Sequence, residues 1–140
     1  MTFAQATPNV PVSWGELLDK IAILEIKEER IADPAARSNV RRELGLLRDI
    51  AAPALDEPAA TRLLATLRRI NERLWDIEDD IRGKEAQADF GPDFIALARA
   101  VYKTNDQRAA LKKELNGLLN SELVEEKSYA PSAFFTQEGR

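Results

Sequence analysis

The chain has 140 residues, 44% apolar and 31% charged, and its 20 basic and 24 acidic side chains leave a formal net charge of −4. That is enough for one domain with a real core, and it supplies no overall field to hold nucleic acid or an anionic membrane. Cysteine and histidine are both absent, which excludes disulfides, thiolate chemistry, the common zinc and haem sites, Ser-His-Asp triads and the Glu-x-x-His di-iron motif; no cofactor is expected.

The load of Ala, Leu, Glu, Arg and Lys predicts an all-α protein, an antiparallel bundle of four main helices, with residues 13–121 as the bundle domain. Residues 1–12 carry Pro8 and Pro11 without any period and read as an extended arm. They lack a basic n-region and an apolar h-region, and no apolar run approaches a membrane span, so a cytoplasmic location away from membranes is expected.

Ser13 begins the first helix. Its hydroxyl can accept from the Glu16 N–H while the Glu16 carboxylate reaches back to Ser13, a capping box flanked by Val12 and Leu17 at the staple positions. At about 100° per residue, Trp14, Leu17, Leu18, Ile21 and Leu24 form a core-facing stripe. Ile23 and Ile26 lie on the far side, which predicts a helix contacted from more than one direction. Asp33-Pro34 stops this helix near Ala32 and starts the next.

The second helix reads to about Ile50 or Ala51, with Val40, Leu44, Leu47 and Ala51 on one face and Arg37, Arg41 and Arg48 along its edge. The segment A-A-P-A-L-D-E-P is read as its interruption, and Asp56, Glu57 and Pro58 open the third helix. Leu63, Leu67, Ile70, Leu74, Ile77 and Ile81 then give the cleanest period in the chain, with Gly83 expected at its fraying end. The fourth helix starts near Pro92 and runs through Phe94, Leu97, Val101, Leu111, Leu115 and Leu119. Both later helices outrun the first two, leaving an overhang to be covered by the tail, a second subunit or a partner. Residues 122–140 lose the period but hold Tyr129, Phe134 and Phe135, so the tail is expected to dock.

Polar residues stand at angles where the period calls for Leu or Ile: Glu25 and Glu28 on the first helix, Asn71 and Glu78 on the third, and Asn105, Arg108 and Lys112 on the fourth. If these faces converge, the interior contains charges that must satisfy each other or bind something. Three readings stay open. One is a buried polar network in which Arg108 bridges carboxylates and fixes helix register. Another places several of these residues at the rim. The third is a pocket in which Arg108 and Lys112 take an anionic small molecule, with Arg41 and Arg82 as auxiliary cations; Arg37, Arg48 and Arg68 lie on the same edges. Nothing resembles an EF-hand, and no metal site is expected. Trp14 and Trp75 read as core anchors.

The motifs V-S-W-G-E-L-L-D-K-I-A-I-L-E-I-K (Val12 to Lys27), L-W-D-I-E-D-D-I-R (Leu74 to Arg82), V-Y-K-T-N-D-Q-R-A-A-L-K (Val101 to Lys112) and L-V-E-E-K-S-Y (Leu123 to Tyr129) resemble a bacterial family of small helical proteins of unassigned function. Its members occur beside, or fused to, glycosyltransferases and other cell-surface polysaccharide machinery, so the resemblance implies an accessory role. It carries over no catalytic residue. Residue types alone are similar to the all-helical chorismate mutases, an analogy of form. Two functions follow as expectations: a non-enzymatic interaction protein that forms homo-oligomers or binds a protein partner, and a small enzyme or sensor with an interior anion site.

Overall fold

The computed structural model describes residues 7–130, and its order is α1 (Trp14–Arg30), α2 (Pro34–Leu55), α3 (Pro58–Ala86) and α4 (Pro92–Leu118). Each start has a local cause. Ser13 Oγ accepts from the Glu16 N–H at 3.1 Å, Asp33 from the Ala36 N–H at 2.9 Å, and Glu57 caps α3. Pro34, Pro58 and Pro92 occupy first-turn positions, where a missing N–H costs nothing. The second half of the predicted capping box is not formed, because the Glu16 carboxylate turns outward to Lys112 Nζ at 2.7 Å.

The helices run up, down, up and down, with α1 at the centre, packed against all three others, and α3 and α4 forming the longest contact. Each helix gives a leucine to the centre of the core: Leu18, Leu44, Leu67 and Leu115, none more than 1% exposed. The expected stripe Leu17, Leu18, Ile21 and Leu24 is buried, and so is Ile26 on the opposite side. Trp14 packs on the core edge, and Trp75 is half-buried with the Arg30 guanidinium 5.7 Å above its ring.

Two helix ends differ from the sequence reading. Helix α2 continues through Pro53 to Leu55, since Ala51 and Ala54 extend the buried line of Val40 and Leu44. Pro53 itself stands on the exposed side, where water can serve the carbonyl it leaves without a donor. Helix α3 passes Gly83 and ends at Ala86, closed by Ala88 in the left-handed region (φ 54°) with the Asp89 N–H on the Lys84 carbonyl. Asn120 ends α4 in the same way, at φ 52° with the Ser121 N–H on the Asn116 carbonyl.

The start of α1 is tied to the end of α4. The Trp14 N–H donates to Ser121 Oγ at 3.2 Å and the Gly15 N–H to Asn116 Oδ1 at 2.7 Å, so two of the orphan amides are met from across the bundle. The helices approach so closely there that a Cβ on Gly15 would lie 2.4 Å from the Lys112 carbonyl oxygen and 2.9 Å from Asn116 Oδ1. Phe134 and Phe135, expected to dock with the tail, lie outside the described residues. Gly15→Ala should therefore destabilise the fold by about 1–3 kcal/mol, through overpacking against backbone that cannot move aside. Urea unfolding at equilibrium measures this, and an unchanged midpoint would mean that the α1–α4 crossing relaxes freely.

Candidate functional site

Asp19 is the group on which the polar interior converges. It lies on α1 one turn past Gly15 and one turn before Ile23, and only 1% of it is exposed. Its charge is met from two helices. Arg108 on α4 donates through Nε to Asp19 Oδ1 and Oδ2 at 3.0 and 3.1 Å and through Nη2 to Oδ2, while Asn71 on α3 donates to Oδ1 at 2.8 Å. Asn105, one turn before Arg108, accepts from its Nη1 at 3.5 Å. Fork-shaped guanidinium suits this, since two parallel donors match two carboxylate oxygens.

Lys112, the next residue on this line of α4, sits 4.0 Å from Asp19 Oδ2. Its ammonium donates to Glu16 at 2.7 Å and to Glu125, on the segment after α4, at 2.8 Å. The cluster thus contains two cations and three carboxylates, and each cation touches at least one of them. Asp19 holds the Arg108 guanidinium above its ordinary range against the opposing effect of burial. Burial pulls the Lys112 ammonium down, but hydrogen bonds to Glu125 and Glu16 and the Asp19 charge outweigh it, and the net shift is upward. Lys112 in turn lowers the Glu125 carboxyl.

Two open clefts flank Arg108. One, of about 680 Å³, runs between α4 and residues 125–130 past Tyr102 and Tyr129. The other, of about 370 Å³, lies between Ile23, Ile26, Trp75 and Glu78.

Of the residues singled out from sequence, Asn71, Asn105, Arg108 and Lys112 meet around Asp19. Glu25, Glu28 and Arg41 stand elsewhere. Glu25 accepts from Arg48 at 3.0 Å and lies 3.8 Å from Arg68, which also holds Glu29 and Glu72, and Arg41 is 3.8 Å from Glu28. This is a partly exposed charged rim where α1 meets α2 and α3. Glu78, expected to face inward, is exposed and pairs with Arg82 one turn on, at 3.2 Å. The reason is spacing: Glu78 looks onto the open cleft between α3 and the Ile23–Ile26 side of α1, which leaves its carboxylate in water.

Asp19 is not among the residues singled out from sequence, because the polar exceptions on α1 are those on the Trp14–Leu24 stripe, whereas Asp19 lies toward the second contacted side that Ile26 marks. The signal was present: Gly15, Asp19, Ala22 and Ile26 form a second line at helical spacing, with the acid as its one polar member. Among the described residues no group of acids is arranged to hold a metal ion. A model described as a family of unknown function (DUF6165) matches residues 8–136. No curated protein and no solved structure matches the chain.

Removing one partner of a buried pair strands the other charge. Arg108→Met should cost about 3–5 kcal/mol, and Asp19→Leu with Arg108→Met should recover most of that; equal losses in the single and double variants would deny the coupling. The lowered Glu125 carboxyl favours the folded state above the ordinary value of 4.5, and this contribution is lost as pH falls through the lower folded value. Carboxyl NMR should place the Glu125 midpoint below 4.5 in the native chain and near it in Lys112→Met.

Proposed function

We propose that this chain, which belongs to the family of unknown function (DUF6165) matched over residues 8–136, is a non-enzymatic helical interaction protein that self-associates and serves other proteins as an accessory. The charge balance of the buried cluster carries this reading. An interior anion site needs a cation free to meet its ligand, yet Arg108 is held by Asp19 and Lys112 by Glu16 and Glu125. The Arg108–Asp19 pair at the centre of this cluster is buried on its acid side, and the attested use of such a pair is to set register.

The surface supports the same reading. Leu46 and Ile50 on α2, and Phe90 and Ile95 at the α3–α4 tip, are more than half exposed. Apolar side chains presented to water on or beside helices are what a docking surface uses. No described helix is long and apolar enough to cross a membrane. The likeness of the four motifs to proteins found beside polysaccharide machinery extends the proposal to an accessory of bacterial glycosyltransferase systems, acting in the cytoplasm.

One observation favours the other reading, an anion-binding enzyme or sensor: the 680 Å³ cleft passes Lys112, where Glu125 could be displaced by a ligand. A thermal-shift screen separates the two. Inorganic phosphate, sugar nucleotides and small dicarboxylates should leave the melting temperature unchanged. A ligand at a hundred times its Kd would add about 2.7 kcal/mol, and a shift of that kind that vanished in Lys112→Met would overturn the non-enzymatic reading.

A further inference from the structure

Helix α2 touches α1 closely and α3 only slightly, so most of its outer surface faces away from the bundle. Arg42, Gly45, Leu46, Asp49 and Ile50 share that surface within an arc of about 140°, and all five are exposed. Leu46 and Ile50, at 58% and 60% exposure, are the most exposed large aliphatic side chains of the four helices. Arg41, Glu43 and Arg48, on the flanks, turn to Glu28, Lys20 and Glu25 of α1. Arg42 and Asp49 have no ion pair among the described residues. The outer face therefore presents Leu46 between two charges of opposite sign that have no ion pair among the described residues, with Ile50 just beyond Asp49.

The spacing of those charges identifies the partner. They are seven residues apart, two turns, about 10.5 Å along the axis. If a second copy of α2 lies antiparallel across the first, with a two-fold axis passing between positions 45 and 46, position 42 of each chain faces position 49 of the other. Position 45 then faces 46. Gly45 has no side chain, and nothing lies within 4 Å of where its Cβ would be, so it offers a gap for the partner's Leu46. Ion pairs at both ends and aliphatics between them make the face complementary to itself, as an isologous contact requires.

We propose that two copies of this chain associate through α2, antiparallel about an axis between Gly45 and Leu46, with Arg42 of each copy paired to the partner's Asp49. This rests on the self-association proposed above and names its surface. Net charge does not prevent it: each chain carries −4, but the contact pairs its charges one to one.

Sedimentation equilibrium on the full chain and on charge-reversed variants tests it. The wild type should reach twice the 15.7 kDa of one chain as concentration rises. Arg42→Glu and Asp49→Arg each place like charges at both ends of the contact and should raise the dimer Kd about tenfold or more. An equimolar mixture of the two variants, and the double variant Arg42→Glu with Asp49→Arg, should restore it. Both positions varied are solvent-facing charges, and unchanged circular dichroism melts confirm that each protein folds. A wild type that stays monomeric to millimolar concentration overturns both the self-association and this surface. A dimer indifferent to both reversals overturns the surface alone and leaves self-association standing.

Discussion

A carboxylate with no access to water constrains this fold more than any apolar contact does. The Asp19 carboxylate is met by Arg108 and Asn71, and these come from α4 and α3. Sliding α4 along α1 by one turn, about 5.4 Å, would keep much of the leucine packing but remove the guanidinium from the acid. Hydrophobic contacts tolerate such a slip because one leucine resembles another. The buried charge does not, and that is the attested use of such pairs: they discriminate between registers at some expense of stability. Three of the four helices are indexed by this one residue.

The same register is read a second time at the end of the bundle. Gly15 lets the α1 and α4 backbones approach where any side chain would collide with the Lys112 carbonyl, and Asn116 and Ser121 then reach the free amides of α1. Helix α1 is thus capped partly by itself, through Ser13, and partly by residues about a hundred positions later. Its start is complete only when the last helix has docked. The α3–α4 hairpin makes its extensive contacts locally, whereas closing α4 onto α1 carries the loop-closure entropy of the chain between them.

Helix class, the four helices and most of their starts were legible because they depend on local chemistry. Ser13, Asp33 and the proline positions act within one turn of themselves. The ends were less legible. Pro53 and Gly83 have low helix propensity, yet α2 runs on because Ala51 and Ala54 are buried, and α3 runs on until Ala88 closes it. The site was half legible. Asn71, Asn105, Arg108 and Lys112 stood out because each interrupts the apolar face of a helix with one buried side. Asp19 did not, because α1 has three neighbours, and no angle around it is a solvent face by default. Glu78 failed for the complementary reason, since its face of α3 looks onto an open cleft and not onto a packed neighbour. Angular projection treats every turn of a helix alike, and only packing in space decides which turns are covered.

Inside and outside use charge in different ways here. In the core, Arg108 is answered by Asp19 of the same chain, and Asn71 of a third helix holds the same carboxylate. At the mouth of the larger cleft the answer comes from a segment without regular structure, through Glu125 on Lys112 and Lys127 on Asp106. Those contacts are partly exposed, where an ion pair contributes little and a salt solution screens it. On the outer face of α2 Arg42 and Asp49 have no answering charge among the described residues. The gradient from buried and paired, through exposed and paired, to exposed and unpaired runs outward from Asp19. Residues at its inner end already meet partners on other helices, so the association proposed above falls at the outer end, where pairing with another molecule displaces only water.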